Sequence, residues 1–84
     1  MVTIYGKSSC GFCINAKHLC ESMNLKYEYL EAGEDYSKED LFKIFPNAKT
    51  FPQIKIGDNI IGGFQQLQKY IEDTGYNGTG YTLS

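Results

Sequence analysis

The first thirty residues switch between two hydrophobic periods, and that switch limits the folds open to the chain. Residues 2–5, "VTIY", are β-branched or aromatic and end at Gly6, so they read as a short buried strand. Over residues 11–24, Ala16, Leu19, Cys20 and Met23 recur at helical spacing as one apolar stripe, with Asn24 as a stop. Residues 26–30, "KYEYL", return to alternation as a second strand. Strand, helix and strand in this order make a right-handed crossover, and the two strands must then run parallel.

The rest of the chain extends this unit. "EAGEDYS" is a loop, and Ser37 is a good N-cap for a helix that carries Leu41, Phe42 and Phe45 on one side and stops at Pro46. Residues 53–56 read as a third strand, 57–59 as a turn, and Ile60 and Ile61 as the start of a fourth strand that closes a hairpin. After Gly62-Gly63 a last helix is expected from about residue 64 to 73, with Phe64, Leu67, Tyr70 and Ile71 at helical spacing. The expected architecture is α/β: a four-stranded mixed sheet flanked by about three helices on both faces. The 84 residues suffice for one domain, assigned to residues 1–74. Residues 75–84, rich in Gly, Asn and Thr, read as a flexible tail.

Charge and hydropathy exclude several classes of function. The net charge is −2 with no basic block, which argues against nucleic-acid binding. No apolar run approaches the roughly 18 residues of a membrane span. The "MVTIYGK" start lacks the marks of a secretory signal, so a cytoplasmic protein is expected.

The chemistry lies in "GKSSCGFCINAKHLC". Its three cysteines are odd in number and fall within eleven residues, which does not suit a disulfide framework. Cys10 falls at the strand-to-helix junction, where unpaired N–H groups and the positive dipole end stabilise a thiolate. Lys7 adds nearby positive charge. The spacing puts Cys13 on the same turn, within disulfide reach and further into the helix. Cys10 is therefore read as the exposed attacking thiolate and Cys13 as its resolving partner. A zinc site would need Cys20 or His18 as well, but Cys20 lies about two turns, roughly 10 Å, beyond Cys13, too far to close a tetrahedron. Cys20 shares the stripe with Ala16 and reads as core packing, and His18 as a solvated residue.

With these residues placed, the chain resembles the glutaredoxin family from residue 2 to about 71. The resemblance rests on "CGFC", on "TFPQI" at 50–54, similar to a Thr-Val-Pro segment with a cis-proline, and on "GGFQQL" at 62–67. It implies a thioredoxin-like fold and a glutathione-dependent thiol–disulfide oxidoreductase that reduces protein disulfides and glutathione mixed disulfides. In this reading Cys10 and Cys13 are catalytic. The glutathione-binding residues implied are Lys7, Phe12, Lys49, Phe51, Pro52, Gly63, Phe64 and Gln65. The helix start after Gly62-Gly63 matches the family's site for the γ-glutamyl carboxylate, and the two lysines match basic positions near the glycine end. Family potentials of about −200 to −230 mV make such proteins reducible by glutathione. The implied role is an electron carrier in cell redox homeostasis, a monomer acting on disulfide-containing or glutathionylated proteins, of which ribonucleotide reductase is one the family can serve.

Two departures from the family pattern carry alternatives. Gly11 and Phe12 stand where Pro and Tyr are common, and "CGF" is similar to the monothiol branch that carries iron–sulfur clusters. A glutathione-ligated [2Fe–2S] dimer using Cys10 from two chains is one alternative. Gln65 and Gln66 stand where many members have an acidic residue near the glutathione ammonium. A thioredoxin-like protein served by a flavoprotein reductase is the other alternative; the short chain, the glycine pair and the lack of Trp argue against it.

Overall fold

The computed structural model describes residues 1–76. Its elements are β1 (Val2–Gly6), α1 (Gly11–Ser22), β2 (Tyr27–Glu31), α2 (Lys38–Ile44), β3 (Gln53–Ile56), β4 (Asn59–Gly62) and α3 (Phe64–Thr74). The order along the sheet is β2-β1-β3-β4. β1 and β2 run parallel with Val2 opposite Tyr27 and Gly6 opposite Glu31. β3 is antiparallel to β1, and β4 is antiparallel to β3 with a register shift at Ile54/Lys55. The sheet is mixed, as the crossover and hairpin predict.

β1 lies inside the sheet, so its alternate side chains feed two cores. Val2 and Ile4 join Ala16, Cys20, Leu25, Ile54, Ile56, Leu67 and Ile71 beneath α1 and α3. Tyr5 points the other way and packs with Tyr36, Leu41 and Phe45 beside α2. That smaller core is aromatic: Tyr5 meets Tyr36 and Phe45 edge-on at 5.1 and 5.4 Å between ring centroids.

Three expectations are corrected. Met23 is 46% exposed, because α1 ends at Ser22 and Asn24 turns left-handed at φ 57°, which takes the chain off the apolar stripe. Phe42 is also exposed: Leu41 and Phe45, four apart, fill the inward face of α2, and Phe42 falls one step round the helix. Tyr76 is only 3% exposed and packs in the main core, so the packed unit extends past residue 74; the expected flexible tail beyond 76 lies outside the described residues.

Candidate active site

The loop from β1 into α1 is tied down from both sides. The Gly6 carbonyl accepts from the Ala32 N–H and from the Tyr36 hydroxyl, each at 2.9 Å. The next carbonyl, Lys7, accepts from the Tyr29 hydroxyl and from the Cys10 N–H, each at 3.3 Å. Cys10 leaves this loop in extended conformation as the N-cap of α1. Its Sγ accepts from the Cys13 N–H at 3.2 Å, the bond a capping serine oxygen would otherwise take. The same sulfur lies 3.7 Å from the Phe51 carbonyl and donates its proton there. Phe51 precedes Pro52 across a cis peptide bond.

The expected exposure of Cys10 is corrected: only 9% of it is open. The Phe51 carbonyl, 41 residues away in sequence, lies on its sulfur. Cys13 is fully buried, and its thiol is pushed up to about 12, by burial first and then by its hydrogen bond with Cys10. Both are free thiols. Cys20 is fully buried in the main core, and burial pushes its thiol up to about 11, in keeping with a packing role.

Beside Cys10 runs a groove of about 360 Å³ lined by Phe12, Thr50, Phe51, Pro52, Gly63, Phe64, Gln65 and Gln66. One wall is aromatic: Phe12, 58% exposed, tilts against Phe64 at 6.3 Å between centroids. The other end is the start of α3. The first intrahelical bond there runs from the Leu67 N–H to the Gly63 carbonyl, so the N–H groups of Phe64 and Gln65 have no intrahelical acceptor. Such a helix start suits a carboxylate. Gly62 has φ 118°, and a side chain there would press on Gln66, so the turn into α3 requires glycine.

The groove gathers Phe12, Phe51, Pro52, Gly63, Phe64 and Gln65 from the expected ligand contacts. It does not gather the two lysines. The Lys7 ammonium sits over the Phe51 ring, 5.3 Å from its centroid. Lys49 lines an adjoining recess of about 80 Å³ that shares Thr50 and Phe51 with the groove. Thr50 lines the groove unanticipated, although it lies within a quoted motif, and Gln66, expected near the ligand's ammonium, lines it as well. The Gln66 side-chain oxygen accepts from the Gly63 N–H at 3.1 Å, whereas the Gln65 side chain makes no hydrogen bond among the described residues. Another groove, of about 380 Å³ along Asn59–Ile61 and Tyr70, holds no cysteine.

The Glutaredoxin family model matches residues 2–61. The chain belongs to the glutaredoxin family. It is 31% identical over 77 residues to glutaredoxin 1 of Escherichia coli, a match covering 83% of this chain and 91% of the relative. It is 36% identical over 78 residues to a glutaredoxin of Haemophilus influenzae, covering 81% and 90%. Among solved structures it resembles reduced Escherichia coli glutaredoxin with TM-score 0.75 and 29% identity, covering 86% of this chain and 93% of that one. It also resembles a buckwheat glutaredoxin–glutathione complex with TM-score 0.70 and 25% identity, covering 86% and 68%. The fold is thus the thioredoxin-like fold of glutaredoxins, and membership implies thiol–disulfide oxidoreductase chemistry.

Among the described residues no three His, Cys, Asp or Glu side chains converge to hold a metal ion. A thiolate-held cluster needs four ligands. One chain brings only Cys10 to the groove edge, with Cys13 fully buried behind it, so a cluster would have to draw Cys10 from two chains and its other ligands from outside the protein. Among the described residues no helix is long and apolar enough to cross a membrane.

Proposed function

We propose that this glutaredoxin is a glutathione-dependent disulfide reductase in which Cys10 is the nucleophile and Cys13 the resolving thiol. The observation that carries the reading is the Cys10 sulfur itself. It caps α1 through the Cys13 N–H and abuts the Phe51 carbonyl at the wall of an aromatic groove. The Cys13 N–H already reaches this sulfur at 3.2 Å, in place to donate to it as it attacks. Loss of the Cys10 proton also frees the Phe51 carbonyl to accept from a substrate backbone.

The steps balance as two-electron exchanges. The Cys10 thiolate attacks one sulfur of a substrate disulfide; a Cys10–substrate S–S bond forms and the other half leaves as a thiolate that takes a proton from solvent. Cys13 then loses its proton to solvent and attacks the Cys10 sulfur. The Cys10–Cys13 disulfide forms, and the remaining substrate half leaves reduced. One glutathione thiolate attacks Cys10 and expels Cys13, and a second releases oxidised glutathione from Cys10. Glutathione sits with its γ-glutamyl carboxylate on the N–H groups of Phe64 and Gln65 and its body along Phe12, Phe51 and Pro52, while Lys7 and Lys49 attract its glycine end. The buckwheat complex, a relative that holds glutathione, supports this choice of ligand. We place the protein in the cytoplasm as a monomer, with disulfide-bearing or glutathionylated proteins, ribonucleotide reductase among them, as substrates.

The test is turnover of a small glutathione mixed disulfide with glutathione as sole reductant. Turnover by the parent and by Cys13→Ser, with loss of protein-disulfide reduction only in Cys13→Ser, is the expected result. Turnover only with a flavoprotein thioredoxin reductase would overturn the glutathione assignment. A coloured dimer after anaerobic reconstitution with iron, sulfide and glutathione would instead favour the cluster-binding alternative.

A further inference from the structure

Cys13 presents a difficulty that the cysteine pair alone does not resolve. It must act as a thiolate, yet it is fully buried and its thiol is held at about 12. The Cys13 N–H is committed to Cys10, so α1 spends that donor on the other sulfur.

A hydroxyl lies close to the Cys13 side chain on the β2 side. Gly6 ends β1 with a bare Cα, and two groups close on it. A methyl group there would collide with the Tyr29 hydroxyl, lie 2.7 Å from Tyr29 Cζ, and lie 3.1 Å from Cys13 Cβ. The Tyr29 hydroxyl and the Cys13 side chain thus flank the same empty position, which only glycine leaves open. The parallel register puts Tyr29 opposite Ile4 on the neighbouring strand, and its hydroxyl donates its proton to the Lys7 carbonyl at 3.3 Å. We propose that Tyr29 is a positioning residue for the resolving cysteine, its hydroxyl turning its one proton from the Lys7 carbonyl to the Cys13 sulfur whenever that sulfur is anionic.

Electrostatics agree with this placement. Against burial and Cys10, the Lys7 backbone N–H and the Tyr29 hydroxyl pull the Cys13 thiol back down. Tyr29 is itself pushed up to about 12, by burial and then by the charge of Cys13, so it keeps its proton at neutral pH. The bond acts twice in a cycle. It steadies Cys13 as it attacks the Cys10–substrate disulfide, and it steadies Cys13 as the thiolate expelled when a reducing thiol attacks Cys10. No proton leaves Tyr29 in either step.

The proposal rests on the reading of Cys13 as the resolving thiol, and the experiment separates the two. Reduced protein is mixed with a symmetric aromatic disulfide whose thiolate is coloured. Attack by Cys10 releases one equivalent, and displacement by Cys13 releases a second. A hydrogen bond to a charged group shifts a thiol by roughly one to two units, and the accompanying fall in nucleophilicity cancels nearly half of that. Tyr29→Phe is therefore expected to slow the second phase by roughly three- to tenfold relative to the first. Tyr36→Phe, which removes the hydroxyl donated to the adjacent Gly6 carbonyl, is expected to leave the ratio of the phases at the parent value. An unchanged ratio in Tyr29→Phe, or an equal change in Tyr36→Phe, overturns the role of Tyr29. Release of two equivalents by Cys13→Ser overturns the role of Cys13 instead.

Discussion

At the start of α2, Ser37 and Asp40 satisfy one another: the Asp40 N–H donates to the Ser37 hydroxyl at 3.1 Å, and the Ser37 N–H donates to the Asp40 carboxylate at 3.3 Å. At the start of α1 the same backbone position holds Cys10, whose sulfur accepts from the Cys13 N–H at 3.2 Å with no reciprocal carboxylate. Both caps are extended, with φ near −100° at each. The backbone problem is the same and the solutions differ. Serine is among the preferred caps and closes its box for stability. Sulfur is a weak acceptor, so its place at the α1 cap reads as chemistry taking a site that stability alone would give to an oxygen. At α2 the dipole is met by two acidic side chains, Glu39 and Asp40, whereas the first turn of α1 has none. An acidic group there would compete with the thiolate for the same N–H groups.

The sharpest way to break this comparison is Cys10→Ser. Activity should fall by at least about a thousandfold, because the nucleophile is gone. Thermal stability should hold or rise, since Ser ranks high among caps and fits the same geometry. A matched pair of measurements, disulfide turnover and Tm, checks both halves. If the variant loses stability along with activity, the sulfur is structurally preferred and the contrast between the two helix starts fails.

The α2 cap was legible because it is local: Ser37, a helix and Pro46 lie within ten residues. β3 was read at its observed bounds, and the mixed sheet followed from one crossover and one hairpin. The α1 cap was legible only in part. The cysteine spacing and strand-to-helix junction located Cys10, but its burial depends on Phe51, far away in the chain. Tyr29 was invisible as a site residue for the same reason, since it reaches Lys7 only across the parallel register of β1 and β2. Met23 and Phe42 show the opposite error. Helical spacing counts an apolar residue as inward even where a left-handed turn or a better-placed neighbour takes the inward face.

A smaller effect is expected at the other end of the comparison. Ser37→Ala removes the hydroxyl that caps α2 and should cost about 1 kcal/mol, toward the lower end of the usual range because the bond is exposed. α2 closes the aromatic core of Tyr5, Tyr36, Leu41 and Phe45, so the loss should appear in global denaturant unfolding. Disulfide turnover per folded molecule should not change. A fall in turnover would mean that α2 communicates with the cysteines through Tyr5 and Tyr36, and the two helix starts would no longer be independent.

The smallest effect tests the carboxylate half of the box. The Ser37 N–H, and after it the Ser37 hydroxyl, hold the Asp40 carboxyl below its usual value of 3.8. A carboxylate whose folded value is depressed contributes stability that is present above its unfolded value and lost as pH falls through the folded one. Asp40→Asn should therefore be slightly less stable than the parent at neutral pH. The gap should close as the solution is acidified below about pH 4, where the parent's own carboxylate takes up its proton. Urea unfolding of both proteins across that range reads the convergence. A gap that persists unchanged into strong acid would assign the loss to side-chain geometry rather than to charge at the α2 N-terminus, and the dipole contrast with α1 would rest on the sulfur alone.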